Sequence, residues 1–390
     1  MIFKKLVTTA GFAIAMLANA HAVPYIPANG NEVLEHLPSR NDPAQREIKG
    51  LRAQLAANPQ DLDVAIELSR RYISAWRDGG DPRYLGYAQA ALGPWWTLAR
   101  PPLAALVMRA TLLQSTHQFP AALADLDAVV KEDPDNAQAW LTRATVLQVL
   151  GDYAQARSSC ERLNMRAPSL IVATCLASVD SVTGHAQQSY EQLATTLKAS
   201  GSSDPDIRIW VSTLLAEMAV RRGDVAGAQK QFSEAFAAGT PDNYLLAAYA
   251  DFLLDQHQPA KVVELLKSKT QIDSLLLRYA LALKASGSQD TSKYIDMLTQ
   301  RFTAATMRGD TIHQREQARY ELELMDHPAQ ALIVAQQNWR IQKEPADTLL
   351  LLKSAAAAKD KAAAGPVIDW VAKSRLEDQA IVTLVHGLQR

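Results

Sequence analysis

Little in this chain is equipped for catalysis. It has two cysteines in 390 residues and an aromatic content of 6%. Forty lysines and arginines stand against 41 aspartates and glutamates, a formal charge of −1, and no basic stripe gathers anywhere along the sequence. Without such a stripe there is no electrostatic grip on a phosphate backbone, so nucleic acid is not an expected partner. The eight histidines never fall in a His-x-x-x-His or His-Glu-x-x-His spacing, which would put two ligands on one helix face. Neither a Gly-x-Ser-x-Gly elbow nor a phosphate-cradling glycine loop occurs. Carboxylates stand singly, so no acid–base pair is suggested. These absences argue against an enzyme, and no cofactor or metal is expected.

Long apolar runs are also scarce. The one that stands out, Leu6 to Leu17, follows Lys4-Lys5 and leads to Ala20-His21-Ala22. A basic start, a short apolar stretch and an Ala-x-Ala end describe a secretory signal cleaved after Ala22. The run is too short to span a bilayer, and no cysteine follows it to carry a lipid. The expectation is an exported protein, periplasmic or secreted, whose mature chain starts at Val23.

What the sequence does have is repetition. Arg109, Ala110, Thr111, Leu113 and Gln114 return as Arg143, Ala144, Thr145, Leu147 and Gln148. Phe119, Ala122 and Pro134 return as Tyr153, Ala156 and Pro168. The spacing is that of a 34-residue helix-pair repeat. In the second copy, Trp140, Ala144 and Leu147 share one helix face. Gly151-Asp152 then breaks the helix, Gly by taking left-handed angles cheaply and Asp by capping the next helix. Ala156, Cys160 and Leu163 form the second stripe, and Pro168 stops it. One such hairpin cannot bury both stripes, so neighbours must stack.

With Trp140, Arg143-Ala144, Leu147, Ala156, Cys160, Leu163 and Pro168 at the pattern positions, the chain resembles the tetratricopeptide-repeat superfamily. Arg143 and Ala144 stand where that pattern has Leu and Gly. The resemblance implies an all-α, right-handed α-solenoid of stacked helix-turn-helix repeats. An N-terminal arm and helix are expected over 23–58, about nine repeats over 59–375, and a capping helix over 376–390. Stability should then be a near-neighbour sum, with damage staying local. His117, His185, His257 and His327 fall in inter-helix turns, where they read as polar punctuation at exposed corners. Of the adjacent Trp95 and Trp96, one should pack and the other stay partly exposed, since neighbours cannot share a helical face. Cys160 and Cys175 lie about equally far from the corner at Pro168. Export allows a disulfide between them, and two buried thiols are the alternative.

The resemblance also implies that the first helix of each repeat lines a concave face. The positions concerned are Arg70, Thr111, Gln114, Thr145 and Gln148, then Trp210, Glu217, Arg221, Tyr244, Asp251 and Asp255. Apart from Arg70, the first group is neutral and hydrogen-bonding, the second charged with aromatics. Such a lining suits an extended peptide or protein segment. The expectation is a non-catalytic scaffold that binds a protein partner in the cell envelope. The alternative is a structural subunit of an envelope export or polysaccharide-secretion assembly. A small-molecule ligand would need a closed pocket that open solenoids rarely provide.

Overall fold

A computed structural model describes residues 43–389; the expected signal segment Met1–Ala22 and the arm Val23–Asn41 lie outside the described residues. Within the described residues every regular element is a helix. After a single helix, Pro43–Ala57, the chain runs in antiparallel pairs. Repeat one pairs Leu62–Gly79 with Arg83–Ala91, repeat two Leu103–Ser115 with Phe119–Glu132, and repeat three Ala137–Val149 with Tyr153–Glu161. Repeat four pairs Ser169–Asp180 with Ala186–Ser200, repeat five Pro205–Arg221 with Val225–Ala238, and repeat six Asn243–Asp255 with Pro259–Leu266. Repeat seven pairs Asp273–Ala285 with Thr291–Met307. In repeat eight the first helix, Gln314–Arg319, continues as a π turn over Tyr320–Leu324 before Pro328–Ile341. Repeat nine pairs Pro345–Ala357 with Lys361–Ser374, and Gln379–Gln389 closes the described chain.

The pairs form where the sequence places a left-handed residue followed by a cap. Gly151 takes φ 78°, and the carboxylate of Asp152 then accepts the amide of Gln155. The same device recurs at Asp224 on Gly227 and at Asp360 on Ala363. His117 and His257 occupy the left-handed position of their own turns, at φ 56° and 55°. Small residues let the paired helices approach: Ala110, Ala122, Ala156, Ala216 and Ala228 are fully buried. Trp95 is buried and Trp96 only partly so. Cys160 and Cys175 are joined in a disulfide between the second helix of repeat three and the first of repeat four, their Cα atoms 5.5 Å apart.

The stack does not stay open. The backbone amide of Lys343 donates to Val149 O at 2.7 Å. Tyr153 Oη donates to Lys343 O across 190 residues, and the amide of Ala186 donates to the Glu377 carboxylate across 191. The rings of Tyr153 and Trp370 lie 5.8 Å apart. Asn243 donates to the carbonyl of Asp78 at 3.2 Å and to that of Arg77. About five and a half 34-residue repeats thus bring the chain once around. The turns of repeats three to five then meet loops and helices from repeats eight and nine and the last helix. Gly151 serves this junction twice, since a Cβ there would sit 3.0 Å from the Trp370 ring and 3.2 Å from Lys343 Cβ. One hydrophobic cluster accordingly joins Ala144, Cys160 and Cys175 to Leu332, Val367 and Ile381. Local damage is therefore expected only away from this seam, which ties distant repeats together. His117 departs from the exposed-corner expectation as well. It is half-buried, stacked 5.3 Å from Phe119, with Nδ1 buried and without a hydrogen bond. Burial, with Arg315 adding to it, pushes its imidazole below the usual value.

Candidate functional site: the inner wall

Counting back six residues from the left-handed residue of each turn gives one equivalent position on every first helix. From repeat one to repeat nine it reads Ser74, Thr111, Thr145, Ser178, Glu217, Asp251, Leu281, Tyr320 and Lys353. Hydroxyls occupy the first four, and most of them are used locally. Thr111 Oγ1 donates to Val107 O at 2.9 Å, Thr145 Oγ1 to Leu141 O at 3.1 Å, and Ser178 Oγ to Cys175 O at 2.7 Å. Gln148 bridges to the next helix, its Nε2 donating to Ser178 O at 3.2 Å and its Oε1 accepting from Ser178 Oγ at 2.9 Å. Gln114 is half-buried. Arg70 lies apart from the others, exposed and paired with Glu67 at 3.3 Å.

Beyond repeat four the wall becomes charged. Tyr244 Oη donates to both oxygens of Glu217, at 2.8 and 3.0 Å. Burial raises the Glu217 carboxyl, Arg221 opposing and Glu344 reinforcing. The Glu217 charge, with burial, holds the Tyr244 phenol well above its ordinary value. Arg221 itself donates to Ser181 Oγ at 3.1 Å. Asp251 is held by two arginines, Arg278 at 2.5 Å and Arg319 at 2.6 Å. Burial would raise its carboxyl, but the arginines outweigh that and hold it below the usual carboxylate value. Arg319 also reaches Glu323 at 3.0 Å. Arg315 grips Asp347 through Nε at 2.5 Å and Nη2 at 2.8 Å, and pairs with Glu344.

Asp255 differs. It is exposed, and no hydrogen bond or close ion pair holds it. Its carboxyl is nonetheless raised, by burial first and by Asp251, with Lys353 opposing from repeat nine. Asp255 thus faces the inside of the closed superhelix, within electrostatic reach of Lys353 three repeats further on. Trp210 and Tyr244 share that interior, 39% and 61% exposed. Glu217, Asp251, Asp255, Glu323, Glu344, Asp347 and Asp378 interact through space with Arg221, Arg278, Arg315, Arg319 and Lys353 there.

The structure thus brings Glu217, Arg221, Tyr244, Asp251 and Asp255 into one electrostatic neighbourhood, with Trp210 on the same stripe. Sequence reasoning missed Arg278, Arg315, Arg319, Glu344 and Lys353. Lys353 was open to discovery by register alone, since it holds the position of Thr145. Arg315 and Glu344 approach from repeats that only the closed superhelix brings near.

Residues 107–169 match the family model described as tetratricopeptide repeat. Among solved structures, a tetratricopeptide repeat protein from Parabacteroides merdae is similar at 15% identity, covering 66% of this chain and 91% of its own, with a TM-score of 0.44. The Cut9–Hcn1 hetero-tetramer of APC/C is similar at 16% identity over 80% of this chain and 52% of its own, TM-score 0.41. The human IFIT1 dimer with PPP-AAAA is similar at 15% identity over 89% of this chain and 85% of its own, TM-score 0.42. No curated protein matches by sequence.

Proposed function

Taking the chain as a tetratricopeptide-repeat protein, we propose that it is an exported, non-catalytic scaffold that binds a protein partner in the cell envelope through its inner wall. Such repeat folds typically serve as protein-interaction scaffolds, and the helix-pair stack supplies a rigid one. The observation that carries the reading is the pair of exposed aromatic rings, Trp210 and Tyr244, on the inner stripe of adjacent first helices. Large rings left in solvent on a wall whose neighbours are bonded mark a surface that gains by being covered. Export rests on Lys4-Lys5, the apolar run and Ala20-His21-Ala22. N-terminal sequencing of the native protein should begin at Val23; a chain still carrying Met1 would remove the envelope from the reading.

Binding is tested by recovery of partners from envelope extract. Trp210→Ala combined with Thr145→Arg should lose the partner while keeping the wild-type melting temperature. A second reading, a structural subunit with its contacts on the outside, is favoured by one feature. An outer cleft of about 220 Å³ has Trp140 flanked by Arg143 and Arg162, each within 6.0 Å of the ring. If Arg162→Ala rather than the inner-wall pair releases the partner, that reading replaces the first.

A further inference from the structure

Resting on the inner-wall reading, we infer that the wall between repeats five and six takes an extended partner segment carrying a lysine or arginine a few residues from an apolar side chain. Three layers of side chains on these two helices set that chemistry. Trp210 and Tyr244 stand thirteen residues before the left-handed turn residues Gly223 and His257, at the same height on adjacent helices. They make a shelf of two exposed rings. Seven residues further along come Glu217 and Asp251, and four beyond those Arg221 and Asp255. A helix rises 1.5 Å per residue, so along the helix axis the backbone of Glu217 lies roughly 10 Å past that of the shelf residues and Asp255 roughly 16 Å past it, with the Tyr244 hydroxyl reaching along the wall to the Glu217 carboxylate. An extended chain covers the first distance in about three residues and the second in about five.

The wall does not satisfy its own acids there. Asp251 is taken by Arg278 and Arg319. Glu217 has only a neutral phenol as its bonded partner, and Asp255 has none. Of the cations nearby, Arg315 is held by Asp347 and Glu344 and Arg221 donates to Ser181, while Arg221 and Lys353 act on Glu217 and Asp255 through space without forming an ion pair with either. A basic side chain entering beside Glu217 and Asp255 would meet two carboxylates that hold no ion pair, on a wall facing the returning repeats, where charges are screened less than on an open surface. An acidic segment would meet Glu217 and Asp255 and be repelled.

Fluorescence anisotropy decides it, using the full chain and a labelled nonapeptide with the central sequence Leu-Ala-Ala-Lys. The comparison peptide has Glu in place of Lys. The lysine peptide should bind at least tenfold more tightly, and added salt should narrow the gap. Glu217→Gln with Asp255→Asn should erase the preference, while Glu132→Gln with Asp369→Asn, an equal charge change at exposed outer positions, should preserve it. Equal binding of the two peptides, no binding of the lysine peptide at millimolar concentration, or a preference surviving the inner double variant would overturn the inference. If the preference is absent but Trp210→Ala still strips the native partner, the inner-wall reading stands and only the basic segment falls. If partner recovery survives Trp210→Ala, the wall itself is the wrong surface.

Discussion

Asp251 and Asp255 stand one turn apart on the same helix, the same residue type on the same stripe, and they do opposite things. Asp251 is a structural tie between repeats six, seven and eight, clasped by Arg278 and Arg319. Asp255 is exposed and unbonded, and only electrostatics reach it from Lys353. The contrast extends to their surroundings. On one side lie Arg315, Asp347 and Glu344, locked among themselves. On the other lie Trp210 and Tyr244, bare to solvent. A position on an inner face therefore says where a side chain points. Whether it binds a partner or braces the fold depends on what the neighbouring repeats bring to it.

The largest effect should come from breaking the braced half. Asp251→Asn leaves the partly buried Arg278 without a charged partner and Arg319 with Glu323 alone, a loss of about 2–3 kcal/mol. Denaturant unfolding should show it as a lower midpoint with an unchanged slope. A loss below about 0.5 kcal/mol, the size of an ordinary surface change, would place Asp251 with the open half instead.

The interior that both halves share exists only while the seam is closed, so the next effect belongs to the turns. Gly201, at φ 59°, has nothing within 4 Å of a would-be Cβ. Gly201→Ala should cost only the left-handed strain, about 1 kcal/mol. Gly151→Ala adds a steric conflict with Trp370 and Lys343 and should cost about 2–3 kcal/mol. Hydrogen exchange should place the extra loss in residues 343–380 as well as in repeat three. Equal costs for the two variants would mean that the second turn of the superhelix does not rest on the first.

The smallest effect is expected in the open half. Asp255→Asn should change stability at neutral pH by no more than about 0.5 kcal/mol, in the stabilising direction if in either. The sign follows from its raised carboxyl: the folded state disfavours the charge, and acidification through the raised value relieves that cost. Asp251 runs the other way. Its stabilisation is complete above the ordinary carboxylate value near 3.8 and is lost as pH falls through the lower folded value. Melting curves of the two variants against wild type across the acid range should diverge in opposite senses.

The helix pairs were legible because their signals are local. Thirty-four residues contain a left-handed turn, a capping Asp and two apolar stripes, each of which acts within its own repeat. The stripe carrying Trp210, Glu217, Tyr244 and Asp251 was legible for the same reason, since register fixes a face. The seam was not. Lys343 and Glu377 contact residues about 190 positions earlier and Trp370 packs on Tyr153 still further back, and nothing periodic marks them as partners. The small rotation between successive repeats decides whether a solenoid closes on itself, and that rotation is spread over many packing contacts. His117 shows the consequence: as a turn residue it reads as an exposed corner, and the returning superhelical turn half-buries it. The ion pairs of Asp251 were not legible either, because Arg278 and Arg319 come from other repeats.

The comparison at the centre of this account can be measured directly by following the side-chain carboxyl carbons of Asp251 and Asp255 through an acid titration by NMR, assigned with the two Asn variants. Asp251 should titrate below the ordinary aspartate value and Asp255 above it, although one helical turn separates them. Two titrations displaced in the same direction would contradict the division of the wall into a braced half and an open half.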